Sequence, residues 1–411
     1  MAADLDCRLC KSSDLYKFIN FGDMPLADAF HTDAVDERRN LRFELAVNLC
    51  RNCGWHQLTE VVDPKILYQE DYPYDSRVTT TGQMHWHEFA GSVHKFYGLS
   101  ESDLVVDVGS NTGALLEEFK KFTPKIQGVD PSATACEIAV RFGIPTINSF
   151  FDADTAQKIF HDFGFPKIIT ATNSFAHVDD LDAWVLAALT LMGDESVLII
   201  ESPHVFDLFE KNEFDTIYHE HLSYISVRPL VTFFAKFGLH VNLVEHREIH
   251  GGSIRIHISK KLRGDSTNSV QEIITKEESA NIFNQSTLDF FAKKIKNLIS
   301  DIENTIVSMN SEKVRVGIVS APAKGMTLLN CLRKDLFDVI GISDRSSLKI
   351  GRFAPGTALK VSSDKELLAL NPDILLILAW NFKYEIMNNI SNIADKKYKF
   401  LIPIPTPTVI E

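Results

Sequence analysis

The feature that most constrains the fold is a short apolar run that breaks into a glycine-bearing loop and continues as a helix-like segment. The run is Val105–Val108, the loop is Gly109–Gly113, and the helix-like segment is Ala114–Phe119. A β-branched run before glycine predicts a buried strand, and the loop after it lets the backbone approach a ligand closely. The first turn of the following helix offers free N–H groups to that ligand. The sequence therefore predicts an α/β sheet with a nucleotide-binding crevice at this loop.

The glycine spacing narrows the choice of nucleotide. Three residues separate Gly109 from Gly113, and Asp107 stands two positions before the first glycine. This differs from the G-x-G-x-x-G of dinucleotide-binding proteins and from the phosphate-binding loop. A second apolar segment, 126–129, ends in Asp130, whose carboxylate can accept hydrogen bonds from the ribose hydroxyls of an adenosine. The arrangement resembles the S-adenosylmethionine-dependent methyltransferases, with an ordinary βα turn as the alternative.

Length and charge exclude some classes of partner. The chain has 411 residues, which exceeds one typical hydrophobic core and predicts two or three domains. It carries 42 Lys and Arg against 55 Asp and Glu, a net charge of −13, so we expect no attraction to nucleic acid or anionic membranes. No apolar run approaches the roughly 20 residues that span a bilayer, and the N-terminus lacks a basic segment followed by an apolar one. We therefore expect a cytoplasmic protein.

Four of the six cysteines form two C-x-x-C pairs, Cys7 with Cys10 and Cys50 with Cys53. Each turn can present two thiolates to one zinc ion, and two turns complete a tetrahedral four-thiolate site. A disulfide pair is disfavoured in a reducing compartment, and a redox C-x-x-C needs only one pair. Because four protein ligands leave no open position for catalysis, the sequence predicts a structural zinc ion.

Polar residues follow the next predicted strand. The segments Lys167–Thr172 and Val197–Glu201 are predicted strands. Residues just past the carboxyl ends of such strands line the crevice, which places Asn173 and His177 beside the methyl donor. A structural role for His177 is an equal alternative. Upstream, the aromatic and acidic stretch Tyr68–Ser76 contains a proline and is predicted to be an extended segment that enters this domain.

The cluster Tyr218-His219-Glu220-His221 is dense in groups that transfer protons. On a helix Tyr218 and His221 share a face, whereas on a strand Tyr218 alternates with His219 and pairs with Glu220. Either geometry brings an acid/base pair together, and a polar helix end whose side chains bond to one another is an equal alternative. A zinc-protease motif is excluded because Ser223 stands where H-E-x-x-H requires its second histidine.

A second strand, loop and helix lie near the C-terminus. A long polar helical region from 269 to 310 is predicted to connect the domains. It is followed by a predicted strand at 314–319, a small-residue loop at 320–325 and a helix from 326. The loop carries Lys324 and therefore suits an anionic group. Two nucleotide-type crevices suggest two ligands, the methyl donor and a nucleotide-activated substrate. The candidate residues for binding that substrate are Lys324, Gly325, Asp344, Lys349 and Arg352.

Taken in order, these motifs resemble those of the sugar C-methyltransferases of branched-chain deoxysugar biosynthesis. The matching motifs are the four cysteines, Tyr72–Ser76, Asp107–Gly113, Asn173–His177, Tyr218–His221 and Ala321–Gly325. The resemblance covers essentially the whole chain, and it implies an α/β fold in three parts. These are a small zinc-binding domain at 1–66, a central Rossmann-like class I methyltransferase domain at 67–265, and a C-terminal Rossmann-like α/β domain at 266–411 that binds the nucleotide sugar.

The resemblance also implies the active-site residues and the substrate. The implied catalytic residues are Tyr72, His177, Tyr218, Glu220 and His221, with His221 the favoured base. The implied residues for S-adenosyl-L-methionine are Asp107, Gly109, Asn111, Gly113, Asp130 and Asn173. The implied substrate is a nucleotide-linked ketosugar, commonly dTDP-linked, methylated beside its ketone, usually at C3 next to C4. We expect the enzyme to be a monomer.

The chemistry suits these residue types. A sugar carbon becomes a nucleophile only after a base removes the proton beside the carbonyl, and histidine is substantially unprotonated at neutral pH. Tyr218 or His177 can then donate to the enolate oxygen, and Glu220 can orient His221.

Ser320 departs from the family pattern, because glycine is common at this position. One alternative is an O- or N-methyltransferase that acts on a small metabolite. Another is a zinc-containing scaffold or nucleic-acid-binding protein whose methyltransferase fold is inert. The acidic charge and the intact glycine loop argue against this second alternative.

Overall fold

The computed structural model describes most of the chain. The described residues are 6–32, 41–69, 75–263, 267–309 and 313–411. Tyr72, which is predicted to be catalytic, lies outside these ranges. None of the helices in these ranges is both long and apolar enough to cross a membrane.

The chain folds into two compact units, each assembled from segments that are distant in sequence. The first unit comprises Met1–Lys17, Val47–Phe206 and Glu220–Asn284. The second comprises Phe18–Ala46, Asp207–His219 and Gln285–Glu411. Two short segments from the N-terminal half and the middle of the chain thus belong to the same unit as the C-terminal region. The domains predicted with boundaries at residues 66 and 265 are each continuous in sequence, whereas both units of the structure are discontinuous.

Strands and helices alternate through most of the described chain. The strands are β1 (Leu15–Pro25), β2 (Arg42–Cys50), β3 (His56–Leu58), β4 (Val105–Val108), β5 (Ile126–Asp130), β6 (Thr146–Asn148), β7 (Ile168–Thr172), β8 (Val197–Pro203), β9 (Ser223–Tyr224), β10 (His240–Arg247), β11 (Ser253–Ser259), β12 (Arg315–Val319), β13 (Asp338–Ser343), β14 (Val361–Ser362), β15 (Ile374–Ile377), β16 (Phe400–Ile402) and β17 (Thr408–Ile410). The α-helices are α1 (Thr80–Tyr97), α2 (Ala114–Phe119), α3 (Ala133–Arg141), α4 (Ala153–Phe163), α5 (Leu181–Leu191), α6 (Val205–Lys211), α7 (Val227–Ala235), α8 (Thr267–Ser279), α9 (Gln285–Val307), α10 (Ala323–Cys331), α11 (Asp364–Ala369) and α12 (Lys383–Ile393).

In the described part of the first unit, the main sheet has seven strands in the order β10-β11-β8-β7-β4-β5-β6. Strands β4 to β8 run parallel, whereas β8, β11 and β10 pair antiparallel at one edge. Helices cover both faces: Val105 lies in the core with α1 and α2, and Val106 in the core with α4 and α5. Burial on both faces explains why the strands are continuous apolar runs without alternation.

The strand order creates the crevice that the glycine loop predicts. From β4 the chain proceeds to β5 and β6 on one side, and it then returns to β7 and β8 on the other. Ligands of such sheets bind beyond the carboxyl ends of the strands, where the order reverses. The reversal lies between β4 and β7, so the loop after β4 and the residues after β7 share one edge. The predicted strand, loop and helix at 105–119 are confirmed.

The second unit contains its own doubly wound sheet. Its order in the described chain is β14-β13-β12-β15-β16-β17, parallel except for the last pair. The predicted strand and helix after residue 314 are confirmed as β12 and α10, but α10 begins at Ala323, so Lys324 and Gly325 lie in its first turn and not in the loop. The predicted connecting helix is wrong in one respect, because the region forms two helices, α8 in the first unit and α9 in the second. The helical conformation is interrupted between them near Asn281, whose left-handed φ of 54° is typical of a residue that follows a helix.

Candidate active site and metal centre

The four cysteines of the two C-x-x-C turns converge. The Sγ atoms of Cys7 and Cys53 lie 3.6 Å apart, as do those of Cys10 and Cys50, and all four lie within 4.8 Å of one another. A disulfide would need sulfurs about 2.05 Å apart. Ligand bonds of about 2.3 Å to one tetrahedral zinc place sulfurs about 3.8 Å apart. The cluster therefore fits a zinc ion, and the prediction of a four-thiolate site is confirmed.

The metal centre is tied to the chain just after the predicted catalytic cluster. Arg8, between the first two cysteines, is only 4% exposed. Its Nη1 donates to the carbonyls of Leu58 (3.0 Å) and Leu222 (3.3 Å), and its Nε donates to Asp179 (3.0 Å). Leu222 directly follows His221. Arg8 therefore links the first C-x-x-C turn to the backbone beside His221.

The loop after β4 takes a shape that its glycines permit. Gly109 (φ 75°), Asn111 (φ 48°) and Gly113 (φ 78°) all adopt left-handed conformations. A Cβ at Gly109 would lie 2.5 Å from the Cβ of Ser174, which follows β7. Only glycine allows both the positive φ and this approach. The loop after β4 therefore packs directly on the loop after β7.

Two buried carboxylates lie beneath this loop. Asp130, at the end of β5, accepts hydrogen bonds from the backbone N–H groups of Asn111 (2.8 Å) and Ser132 (2.9 Å). Asp107 is fully buried and accepts from the Thr170 hydroxyl at 2.6 Å. Burial raises the pKa of Asp107 to about 7, and it raises that of Asp130 to about 6 against the two backbone hydrogen bonds. Asp130 thus links the end of β5 to the glycine loop, whereas Asp107 links β4 to β7. The loop and Asp130 fit S-adenosyl-L-methionine.

A histidine pair lies beyond β7 in the first unit. The Tyr68 hydroxyl lies 3.0 Å from Nδ1 of His177, and the two rings stack with centroids 5.7 Å apart. The ring of His221 lies 5.2 Å from that of His177. Burial, together with the neighbouring His221, holds the pKa of His177 well below its usual range. Nε2 of His177 is buried without a hydrogen-bond partner among the described residues. Of the predicted catalytic residues, His177 and His221 are thus brought together.

Tyr68 is a residue that sequence reasoning missed. It lies in the aromatic stretch before the glycine loop, where Tyr72 was the predicted catalytic residue. Its hydroxyl also lies 3.5 Å from the Glu220 carbonyl, so this phenol lies between His177 and the backbone of the segment 218–221. Its sequence signal is the density of tyrosines in this stretch, which does not distinguish one tyrosine from another.

The segment Tyr218–His221 forms a turn, so both predicted geometries, helix and strand, are wrong. The division between the two units falls within it, with Tyr218 and His219 in the second unit and Glu220 and His221 in the first. His219 does not join the histidine pair, because its Nε2 lies 3.2 Å from the carbonyl of Phe43 in the second unit. Because the segment is a turn, the consecutive residues His219 and Glu220 belong to different units.

A second buried polar group follows β7 and β8. Asn173 has a φ of 54°, its N–H donates to the Glu201 carbonyl at 2.7 Å, and its Oδ1 is buried without a partner in the described chain. The Glu201 carboxylate accepts from Nε of Arg255 (2.7 Å) and lies 2.5 Å from Nε2 of His85. Burial alone would raise the pKa of Glu201, but His85 and Arg255 lower it below its usual value. Glu201 and His85 were missed because their partners are distant in sequence.

In the second unit, Asp344 and Lys349 act on the backbone of the loop after β12. The Asp344 carboxylate accepts from the Ala321 N–H, and Nζ of Lys349 donates to the Ala321 carbonyl, both at 2.8 Å. Ser320 takes a φ of 68° and accepts from the Ala379 N–H at 3.0 Å, which joins the ends of β12 and β15. Thus two predicted substrate-binding side chains fix the loop.

The predicted anion-binding lysine lies near two acidic side chains and an aromatic ring. The Lys324 ammonium is fully buried, lies 4.2 Å from the centroid of the Trp380 ring, and makes no hydrogen bond to a described residue. Burial lowers its pKa, although Asp215 and Glu213 act to raise it. The adjacent Gly325 has no room for a side chain, since a Cβ there would lie 2.6 Å from that of Leu378. Arg352 pairs through its backbone with Val361.

Comparisons with known proteins cover three consecutive regions of the chain. Family models described as a zinc binding domain, a methyltransferase domain and a C-methyltransferase C-terminal domain match residues 7–68, 82–244 and 248–405. The C-methyltransferase NovU of Streptomyces niveus is 30% identical over 406 residues, which is 98% of this chain and 96% of that protein.

Solved structures of methyltransferases match just under half of the chain. Magnesium protoporphyrin IX methyltransferase of Synechocystis PCC 6803 is 12% identical, covers 46% of this chain and 90% of its own, and has a TM-score of 0.36. An S-adenosylmethionine-dependent methyltransferase of Anabaena variabilis is 13% identical, covers 49% of this chain and 100% of its own, and has a TM-score of 0.35.

Proposed function

The chain belongs to the C-methyltransferase family, and from this premise we propose that it methylates C3, beside the C4 ketone, of a nucleotide-linked 4-ketodeoxysugar. The reaction class, transfer of a methyl group from S-adenosyl-L-methionine to carbon, follows from the family. The sugar part is supported by the order of motifs, which resembles that of the sugar C-methyltransferases. It is also supported by the second doubly wound sheet, a fold that commonly binds nucleotides.

The observation that carries the proposal is the pair of histidine rings 5.2 Å apart beyond β7. A carbon atom beside a ketone must lose a proton before it can attack a methyl group. Two buried imidazoles at this distance disfavour simultaneous protonation, so at least one of them remains a neutral base at physiological pH. An O- or N-methyltransferase needs no such base for a carbon-bound proton.

Each described side chain has a role in this reaction. His221 removes the proton beside the ketone. When the Tyr68 hydroxyl donates to Nδ1 of His177, the proton of that imidazole resides on the unpartnered Nε2, which can then donate to the enolate oxygen. Glu220 orients His221. Bound S-adenosyl-L-methionine supplies an electrophilic methyl group for the carbanion.

The test combines product analysis with proton exchange. The protein is incubated with labelled donor and a panel of nucleotide 4-ketodeoxysugars, and we expect mass and NMR analysis to show one added methyl group at C3. In heavy water without donor, the wild-type protein should exchange the C3 proton of the sugar. His221→Ala should lose both exchange and methylation, whereas His161→Ala, at a site whose side chain is 86% exposed, should keep both. Exchange that persists in His221→Ala removes His221 as the base, and methylation on oxygen or nitrogen overturns the proposed chemistry.

A further inference from the structure

A three-residue segment before α1, Asp75–Arg77, lies against the glycine loop of the first unit. The N–H of Ser76 donates to Oδ1 of Asn111 at 3.0 Å. The hydroxyl of Thr112 donates to Oδ1 of Asp75 at 2.9 Å and lies 3.1 Å from that of Ser76. Side chains of two successive loop residues are therefore held from outside the sheet.

Arg77 makes the most extensive contact in this segment. Its Nε and Nη2 both donate to the backbone carbonyl of Thr112, at 3.1 and 2.9 Å. Its Nη1 forms an ion pair with Glu117 of α2, and its guanidinium carbon lies 4.1 Å from the centroid of the Phe142 ring. The side chain is only 15% exposed. A planar guanidinium can engage a carbonyl, a carboxylate and an aromatic face together, whereas an ammonium cannot.

The loop needs such support because its backbone is strained. Asn111 is not a glycine, yet its φ of 48° lies in the left-handed region. A residue in this conformation persists only when its surroundings hold it there. The Asn111 side chain is held by Ser76, and its N–H is held by Asp130 at 2.8 Å. The segment, the loop and the carboxylate at the proposed ribose position thus form one connected set of hydrogen bonds.

We propose that Asp75–Arg77 is a strap that keeps the glycine loop in the shape that binds the methyl donor, with Arg77 as its main positioning residue. Arg77 acts through the Thr112 carbonyl and through α2, not by contact with the donor. The loop without the strap relaxes from its left-handed conformation, and the donor must then reorder it on binding. The inference rests on donor binding by the family and is independent of the identity of the sugar.

The test measures donor affinity in the absence of any acceptor. Dissociation constants for S-adenosyl-L-methionine and S-adenosylhomocysteine are determined by calorimetry, together with thermal unfolding of the ligand-free proteins. Arg77→Gln should bind both ligands at least about tenfold more weakly, because charge-assisted hydrogen bonds are lost. Arg77→Lys should have intermediate affinity, since lysine keeps the positive charge but lacks the planar guanidinium that makes several hydrogen bonds at once. The matched control is Arg141→Gln, whose side chain is 75% exposed on α3, and its affinity should equal that of the wild type.

A second pair of variants keeps the proposal testable if Arg77→Gln does not fold. Asp75→Asn retains an oxygen that can accept from Thr112, so its affinity should stay within twofold of the wild type. Asp75→Ala removes that acceptor and should weaken donor binding severalfold. A purely structural role for the strap predicts lower unfolding temperatures with unchanged dissociation constants. That result in Arg77→Lys and Asp75→Ala, measured well below their unfolding temperatures, overturns the proposal.

Discussion

The Tyr68 hydroxyl and Nδ1 of His177 lie 3.0 Å apart in a stacked pair of rings. The same unit contains a second tyrosine and histidine pair, in which the Tyr97 hydroxyl lies 2.7 Å from Nδ1 of His257. His257 lies on β11, at the antiparallel edge of the sheet, and it also bonds to Glu245 at 3.0 Å. The two pairs have similar local geometry, but among the residues that the structure describes only the first pair has a ring contact with a further histidine, His221.

Comparison of these pairs separates catalysis from stability. Tyr68→Phe keeps the stacked ring and removes the hydrogen bond that sets the tautomer of His177. We expect kcat to fall by about tenfold or more, the equivalent of one hydrogen bond in the transition state, with little change in donor affinity. Tyr97→Phe should lower the unfolding temperature and leave kcat unchanged. Equal kcat values for the two variants would show that Tyr68 has only a structural role.

The buried carboxylate of Asp107 predicts a pH dependence of stability. Its pKa is about 7 in the folded protein, mainly because of burial, and about 3.9 in an unfolded chain. The folded state keeps the proton where the unfolded state has lost it, so wild-type stability falls as pH rises from about 4 to about 7. Asp107→Asn has no carboxyl group to titrate at this position, so its stability does not fall for this reason. The free energy of unfolding of the ligand-free variant, relative to wild type, should therefore rise across that window by up to about 4 kcal/mol.

An acidic residue with the opposite shift provides the control. Burial alone would raise the pKa of Asp103, but hydrogen bonds from Ser100 and the ion pair with Lys167 lower it. Its ionised form stabilises the folded protein, so Asp103→Asn should lose stability relative to wild type as pH rises through the acidic range. Denaturant unfolding from pH 4 to pH 8 measures both differences. A flat difference for Asp107→Asn contradicts the assignment of the raised pKa to Asp107.

Much of the fold is encoded in short stretches and could be predicted. The strand, loop and helix at 105–119 depend on β-branched residues, two glycines and a helix start within fifteen positions. The metal site could also be predicted, because each C-x-x-C turn is local and the two turns together supply all four ligands of a tetrahedral zinc ion. In both cases one property, strand propensity or metal coordination, accounts for the residues without any knowledge of distant partners.

The candidate site depends on partners that are far apart in sequence. Lysine and aspartate near a second crevice suggest a substrate site, yet Lys349 and Asp344 act on one residue, Ala321. Residue type alone does not reveal that contact. Glu201 similarly meets Arg255 across antiparallel strands, a pairing set by the sheet and not by either sequence segment. Sequence reasoning identified the chemical groups, and tertiary packing decided which of them face one another.

Removal of the metal should destabilise the first unit. Purified protein is expected to contain one zinc ion per chain, and Cys10→Ser should reduce this value because a ligand is lost. Chelation should lower the unfolding temperature and expose four more thiols to titration, since metal binding contributes directly to folding. Cys331→Ser, in the second unit, should leave the zinc content at one. A zinc content near zero in the wild type, with all cysteines reactive, contradicts the metal site.

The final prediction concerns the buried ammonium of Lys324. At neutral pH burial keeps Glu213 largely protonated, with a pKa of about 8, and burial also raises the pKa of Asp215, which the charge of Lys324 lowers. Lys324→Met removes this nearby positive charge and should lower the free energy of unfolding by roughly 1–3 kcal/mol, because Asp215 must then be protonated or stay buried as an unpaired charge. The double variant Lys324→Met with Asp215→Asn should recover part of this loss, because it removes the unpaired charge. Lys365→Met, at an exposed position, should change stability little. If Lys324 instead binds a phosphate of the substrate, Lys324→Met will weaken nucleotide-sugar binding in calorimetry without a large loss of stability, and the double variant will show no recovery.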